Sequence, residues 1–173
     1  NQTQKSKLQV VSGPNLEFLD IVASWPGSTH DSRILENSCF GNLLRTKQYP
    51  GIILGDAGYA CKSYLLTRLQ SPETASEKRY NKAHTKTRNS VERAFGVSKR
   101  RFPCLRSKLC TKLDTSTAII VAVGVLHNFA LQRKDTHADT VMTEADEQDI
   151  TDQLEQNDGL GSAFRRVFIQ QHF

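Results

Sequence analysis

A short apolar run that ends on an acidic residue restricts the fold of this chain more than any other feature. Residues 51–54 read Gly-Ile-Ile-Leu, and Asp56 follows between Gly55 and Gly58. Such a run predicts a short buried strand. A carboxylate at the end of a buried strand costs free energy unless it has partners or a function. Asp56 is therefore a candidate ligand or catalytic group, with a turn or helix-capping aspartate as the alternative.

The residues before this run predict a β-hairpin and a short helix. Residues 7–12 and 16–25 read as two strands that a turn-forming Gly-Pro-Asn tripeptide joins. The second strand is apolar on both of its alternating faces, which indicates a sheet covered on both sides. A Pro-Gly pair ends this strand, and a short helix is predicted over residues 28–37.

The rest of the chain is predicted to be mainly helical. Apolar residues at helical spacing predict four helices, and a polar stretch with a proline predicts a loop: helices over 59–69, 84–102, 115–133 and 159–173, and a loop over 70–78. Pro103 ends the second of these helices. Asp114 can cap the third, whose β-branched residues leave a strand as the alternative.

The charged residues form two blocks of opposite sign within a net charge of +5. Between Arg79 and Lys112 there are eleven lysines and arginines and a single acid, Glu92. Residues 135–158 contain nine acids and no lysine or arginine. Because an acidic stretch with so little apolar surface cannot fold alone, the predicted organisation is a folded domain over 1–134, a disordered linker over 135–158 and a docking helix over 159–173.

The basic block predicts a nucleic-acid partner, because dense positive charge neutralises phosphates and releases their counterions. The alternative is a solvated helix face. We predict that the helix over 84–102 contacts DNA phosphates through Arg88, Lys99, Arg100 and Arg101. Glu92 lies alone among these cations, either as an ordinary ion-pair partner of Arg88 or Lys99 or as a metal ligand.

The sequence disfavours two other classes of protein. No stretch has the roughly 18 to 20 uninterrupted apolar residues of a membrane span, so we expect no membrane partner. The four cysteines lack the spacing of a zinc site and are expected to be reduced thiols. His30, His84 and His127 have no partners at ligand or triad spacing, so we expect them to be structural.

Acids at a strand end and within a basic helix are the groups that two-metal phosphodiester chemistry requires. That chemistry uses hard oxygen ligands to clamp two ions about 4 Å apart, and Asp56 and Glu92 could supply them. The glycines on either side of Asp56 would let the backbone turn and admit a phosphate. Asp31 is a weaker candidate, because Ser28-x-x-Asp31 also fits a helix-capping box.

Five stretches, in order, carry a resemblance to one family. They are WPGSTHDSRI (25–34), LGDAGY (54–59), YNKAHTKTRNSVERAFGVSKRRFPCL (80–105), VLHNFAL (125–131) and FRRVFIQQHF (164–173). They resemble the PIF/Harbinger transposases and the nucleases derived from them. The resemblance covers nearly the whole chain, and the first three motifs in this order are highly specific.

The resemblance implies a fold, a metal site and a partner. The fold is a ribonuclease-H-like α/β domain, a mixed sheet flanked by helices, and its DDE site hydrolyses DNA with Mg²⁺ or Mn²⁺. Asp56 and Glu92 then match the family's catalytic aspartate and glutamate, and Asp31 becomes a further metal ligand. Family members work with a separate Myb-like DNA-binding protein, which implies a nuclear and also a cytoplasmic location.

One departure from the family separates two hypotheses. The family's first catalytic aspartate lies in an Asp-Gly-Thr-His-like motif on a strand before the hairpin, and the 173 residues contain no counterpart. We therefore expect a ribonuclease-H-like sheet without its first central strand and little DNA cleavage by this chain alone. The alternative is a domesticated, non-catalytic relative that binds DNA or protein.

Overall fold

The computed structural model describes residues 6–107, 109–135 and 159–173. These residues form two small β-sheets and five α-helices, in the order β1 (Ser6–Ser12), β2 (Phe18–Pro26), α1 (Asp31–Glu36), α2 (Cys39–Arg45), β3 (Ile53–Leu54), β4 (Leu65–Leu66), α3 (Ala75–Arg101), a 3-10 helix (Pro103–Leu105), α4 (Leu113–Gln132) and α5 (Gly159–His172). The fold is therefore mixed α/β, as the sequence predicts.

The elements belong to two compact units. The first comprises Asn1–Thr29 and Ser90–Asp149, and the second comprises His30–Asn89 and Ile150–Phe173. Helix α3 contributes its beginning to the second unit and its end to the first. The predicted division into a domain, an acidic linker and a docking helix stays a prediction, because residues 136–158 of the linker lie outside the described residues.

In the first unit, β1 and β2 form the predicted antiparallel hairpin. Val10 pairs with Ile21 and Ser12 with Phe18, and the register shifts near both ends of β1. Leu16 in the connecting turn has a φ of 68°, a left-handed conformation that a leucine rarely adopts. Contacts from elsewhere in the unit must therefore hold this turn.

Helix α4 supplies those contacts through neighbouring polar residues. His127 is fully buried, and its Nε2 lies 2.9 Å from the carbonyl oxygen of Leu16. The Asn128 amide accepts from the Phe18 N–H and donates to the Phe18 carbonyl, both at 2.8 Å. The rings of Phe18 and His127 lie 4.8 Å apart. His127 is therefore structural, as predicted, and the VLHNFAL stretch fixes the hairpin turn.

Helix α4 is a core element of the first unit, and the strand alternative for this segment is wrong. Its N-cap is Lys112, whereas Asp114 lies in the first turn and does not cap the helix. A Cβ at Gly124 would approach Ile21 Cδ1 to 2.2 Å, so α4 packs closely on β2. Among the described residues, α4 is the one helix long and apolar enough to cross a membrane, a test that core helices also pass.

In the second unit, β3 and β4 form a parallel pair, and the predicted helix over 59–69 is wrong. Leu54 pairs with Leu66. Leu65, Leu66 and Thr67 are buried in succession, whereas an amphipathic helix would turn one of three consecutive residues to solvent. Backbone pairing with β3 therefore outweighs the helical pattern of this segment.

Helix α3 begins at Ala75, well before the predicted start at residue 84, and shortens the predicted loop. Glu77 Oε2 accepts hydrogen bonds from the N–H groups of Glu73 and Thr74, at 2.8 and 2.9 Å. The Thr74 hydroxyl in turn accepts from the Glu77 N–H at 3.2 Å. These bonds form a reciprocal capping box and lower the pKa of Glu77 below its usual range.

Helix α5 confirms the predicted helix at residues 159–173 and packs into the core of the second unit. Ile169 lies with Cys61, Leu66 and Tyr80 in one cluster of buried side chains. A Cβ at Gly161 would come within 1.8 Å of the Cys61 carbonyl oxygen, so only glycine permits this approach. Cys39, Cys61 and Cys104 are free thiols, as expected.

Candidate functional site

Asp31 is the first residue of α1 and is half-buried. The N-cap of α1 is His30, whose side chain makes no capping hydrogen bond. The alternative in which Asp31 completes a capping box with Ser28 is therefore wrong, because Ser28 does not occupy the cap position. The next residue, Ser32, donates its hydroxyl to the Gly58 carbonyl at 3.2 Å and ties α1 to the turn after β3.

Asp56 lies just beyond β3, as predicted, and is exposed. The strand itself is half-buried, so the prediction of a buried strand is wrong. Asp56 Oδ1 accepts a hydrogen bond from the Gly58 N–H at 3.0 Å, which is the turn role considered as its alternative. A carboxylate offers about four acceptor sites, so one backbone bond leaves capacity for a cation. The bond orients the carboxylate and does not exclude a functional role.

The carboxylates of Asp31 and Asp56 converge at Gly58. A Cβ placed on Gly58 would lie 3.1 Å from Asp56 Oδ1 and 3.2 Å from Asp31 Oδ2. Both oxygens therefore approach the same point, although the residues are far apart in sequence. The missing side chain of Gly58 keeps this point open, a role that the sequence suggested for the glycines near Asp56.

Gly55 has a different role from the one predicted. No glycine among the described residues has a positive φ, so the turn does not need glycine for its backbone angles. A Cβ at Gly55 would meet Leu65 Cδ2 at 2.9 Å and Tyr59 Cδ2 at 3.1 Å. Gly55 thus allows the strand end to pack closely against these two side chains.

Glu92 is exposed on α3 and belongs to the first unit, whereas Asp31 and Asp56 belong to the second. Its place in a shared metal site therefore stays a prediction. Within the described ranges, no group of three or more histidine, cysteine, aspartate or glutamate side chains is arranged to hold a metal ion. Asp31 and Asp56 fit a hard divalent cation by their chemistry, but they supply only part of a ligand set.

The four predicted DNA contacts differ in exposure. Lys99 and Arg100 are exposed, and Arg88 is half-buried. Arg101 is half-buried, with 9% of its side chain exposed; its Nη2 donates to the Asp135 carbonyl at 2.5 Å, and its Nη1 lies 3.4 Å from His127 Nδ1. The sequence held no signal for this arrangement, since Asp135 lies at the start of the acidic block. Phosphate contact by all four residues stays a prediction.

His84 has a contact that spacing in the sequence could not reveal. The residue is 3% exposed, and its Nε2 lies 3.1 Å from the Leu66 carbonyl oxygen at the end of β4. Burial, reinforced by the positive charges of Arg88, Arg68 and Arg165, lowers the pKa of His84 to about 4. The ring is therefore neutral at neutral pH, which agrees with the structural role expected for it.

Residues 1–128 match the family model described as DDE superfamily endonuclease. The chain belongs to this family. The match includes the hairpin, the turn that holds Asp56 and the helix that carries Glu92. The predicted family resemblance is thereby confirmed.

Three relatives connect the chain with Harbinger-derived members of the DDE superfamily. The presumed nuclease HARBI1 of Mus musculus is 36% identical over 118 residues, which cover 66% of this chain and 34% of that protein. HARBI1 of Xenopus laevis is 37% identical over 110 residues, 61% of this chain and 32% of that protein. The ALP1-like protein of Arabidopsis thaliana is 28% identical over 148 residues, 76% of this chain and 36% of that protein.

The chain spans about a third of the length of these relatives. No solved structure matches it significantly. Family membership therefore rests on sequence, and the structure adds the arrangement of the two aspartates within the second unit.

Proposed function

We propose that this chain forms part of a transposase-derived DNA endonuclease that depends on Mg²⁺ or Mn²⁺. Asp56 and Glu92 are its catalytic carboxylates, Asp31 is a further metal ligand, and the domain has a ribonuclease-H-like fold. The convergence of the Asp31 and Asp56 carboxylates at Gly58, in a chain that belongs to the DDE superfamily endonucleases, carries this proposal.

The residues of the turn have distinct tasks in the proposed reaction. Asp31 and Asp56 would hold a divalent cation through their carboxylates, and the Gly58 N–H fixes the direction of the Asp56 carboxylate. When bound, such a cation would supply activation of an attacking water and stabilisation of the leaving oxygen of a phosphodiester. Because Gly58 has no side chain, a phosphate oxygen can approach the two carboxylates.

The exposed basic residues are the proposed contacts with DNA. Lys99 and Arg100 lie on the surface of α3 in the first unit, and each phosphate that such a residue neutralises strengthens binding through counterion release. Location in the nucleus and in the cytoplasm, together with a Myb-like partner protein, follows from the family resemblance and is proposed with it. Imaging of a fluorescent fusion, with and without such a partner, tests this location.

Nicking of supercoiled plasmid tests the proposed function. The protein in which this chain occurs, at its full natural length, is incubated with Mg²⁺ or Mn²⁺. Wild-type protein should nick the plasmid, a chelator should abolish nicking, and Asp56→Asn or Glu92→Gln should lower the rate by about 100-fold or more. Asp114→Asn, which changes an exposed carboxylate of α4, is the matched control.

The outcomes separate the endonuclease from its alternative. Nicking that persists after Asp56→Asn, or that is insensitive to the chelator, contradicts the proposal. DNA binding without any nicking by the wild-type protein would instead support the non-catalytic alternative, a relative that binds DNA through its basic surface.

A further inference from the structure

The carbonyl of Leu66 receives two contacts from different elements of the second unit. The Gly55 N–H donates to it at 2.9 Å as the last bond between the strand end and β4. His84 Nε2 of α3 lies 3.1 Å from the same oxygen. Gly55 directly precedes Asp56, so this carbonyl holds the backbone from which Asp56 projects.

The chemistry of the contact fixes the state of the imidazole ring. A carbonyl oxygen only accepts, so Nε2 must carry the proton and donate. The Nδ1 atom is then an acceptor, and it is buried without a hydrogen-bond partner among the described residues. The low pKa that burial gives His84 keeps the ring in this neutral form at neutral pH.

Stability alone does not explain a histidine at this position. The Leu66 carbonyl already has a donor in Gly55, so it would remain satisfied without His84. The buried Nδ1 without a partner is itself unfavourable, and an apolar side chain would avoid that cost. The Nε2 bond therefore has a use other than satisfying the carbonyl.

We propose that His84 is a positioning residue for Asp56. His84 donates to the Leu66 carbonyl and so restrains the oxygen to which the Gly55 N–H is bonded. Gly55 begins the turn that directs the Asp56 carboxylate towards Gly58, so this turn is restrained as well. Two donors from different elements restrain this one carbonyl and thereby keep the turn in place. This restraint matters because small displacements of a ligand or catalytic group cost much activity. The inference rests on the proposed function, in which Asp56 binds the metal ion.

Two substitutions at His84 and one nearby test this role in the 173-residue chain. His84→Leu removes the donor, whereas His84→Gln keeps an N–H donor on a side chain of similar reach. Tyr80→Phe is the control, because it removes a buried hydroxyl that donates to the Thr67 carbonyl at 2.8 Å, one residue beyond Leu66. The readouts are amide hydrogen exchange by NMR and Mn²⁺ affinity by calorimetry.

A positioning role predicts a local effect. In His84→Leu, the Gly55 amide should exchange about tenfold faster relative to the Ile53 amide, which donates to the Tyr64 carbonyl instead. Mn²⁺ affinity should fall several-fold. His84→Gln should restore both quantities towards wild type, and Tyr80→Phe should change neither the exchange ratio nor the affinity.

The failure of this inference differs from the failure of the proposed function. If His84→Leu speeds exchange at Gly55 and Ile53 equally and leaves Mn²⁺ affinity unchanged, His84 is a structural residue and the inference is overturned. If Asp56→Asn also leaves Mn²⁺ affinity unchanged, or wild type binds no Mn²⁺, the proposed metal site fails. The exchange ratio at Gly55 still decides whether His84 restrains the turn.

Discussion

At the scale of single residues, a glycine determines whether two aspartates can act together. Gly58 donates its N–H to one carboxylate and leaves open the point that both carboxylates approach. The sequence indicated Asp56 through the strand that precedes it, because a short apolar run bounded by glycines is a local signal. The proximity of Asp31 to Asp56 is implied only by the family resemblance and has no local signal, because it depends on how α1 packs against the turn after β3.

Gly58→Ala should therefore weaken metal binding without unfolding the chain. The added Cβ would lie in tight contact with Asp56 Oδ1 and Asp31 Oδ2, at 3.1 and 3.2 Å, and would fill the place of a cation or its water. We expect Mn²⁺ affinity, measured by calorimetry, to fall about tenfold, a change of about 1.4 kcal/mol. Gly96→Ala is the control, because its nearest neighbour would be the end of the Arg100 side chain at 3.8 Å. Equal Mn²⁺ affinities in the two variants would contradict this assignment.

His84 should make stability depend on pH in a definite window. Its folded pKa of about 4 is below the usual 6.5, so the unfolded chain takes up the proton first as pH falls. The free energy of unfolding should therefore decline between pH 6.5 and pH 4, by up to about 3 kcal/mol from this residue. The ring faces the positive charges of Arg68, Arg88 and Arg165, which act in the same direction.

Urea unfolding at several pH values measures this dependence. The His84→Gln variant should have nearly the same free energy of unfolding at pH 4.5 as at pH 7. The remaining difference should come from the carboxylates, which both proteins share. Parallel pH profiles for the wild-type protein and the variant would show that His84 is not the group that titrates.

Among the helices and strands, the sequence pattern predicts where elements form better than it predicts which elements contact each other. The hairpin, α4 and α5 follow from turn residues and apolar spacing that are local in the sequence. The sequence of residues 59–69 predicts a helix where β4 lies, because the pairing of β4 with β3 depends on a neighbour in space. The early start of α3 had a local signal in Thr74-x-x-Glu77, but a proline and polar residues just before it favoured a loop.

Helix α5 should depend on a single glycine for its place in the second unit. A Cβ at Gly161 would meet the backbone of Cys61 at 1.8 Å, and backbone cannot move aside as a flexible side chain can. Gly161→Ala should lower the free energy of unfolding by about 3 kcal/mol, at the upper end of overpacking costs. Gly159→Ala, on the same helix with nothing within 4 Å, should change it by less than about 0.5 kcal/mol. Thermal unfolding of both variants checks this, and equal stabilities would refute the packing argument.

At the scale of the whole molecule, the chain combines a basic surface with a candidate metal site in a family of endonucleases. Eleven of its 23 lysines and arginines lie between Arg79 and Lys112, in the block that includes most of α3. The sequence predicted the DNA-binding role from this density of charge, since counterion release needs no particular geometry. It could not distinguish the exposed Lys99 from the half-buried Arg101, whose guanidinium donates to the Asp135 carbonyl.

Binding of duplex DNA should therefore depend on salt through the exposed basic residues. Replacing Lys99 and Arg100 together by glutamine should reduce the slope of log affinity against log salt concentration by roughly 2 units. Replacing Arg45 and Lys47, which are exposed in the second unit, provides a control of equal charge change. Equal slopes for the two double variants would place the DNA on another surface.

If Asp31, Asp56 and Glu92 share divalent ions, as proposed, then paramagnetic Mn²⁺ should act on the NMR signals of all three residues. A small amount of Mn²⁺ is added to the isotopically labelled 173-residue chain, and amide signals are followed by NMR. We expect the signals of Asp31, Asp56 and Glu92 to broaden together, and Asp56→Asn to remove the broadening at all three. Broadening at Asp31 and Asp56 that leaves Glu92 sharp, or broadening at Glu92 that survives Asp56→Asn, would contradict this expectation.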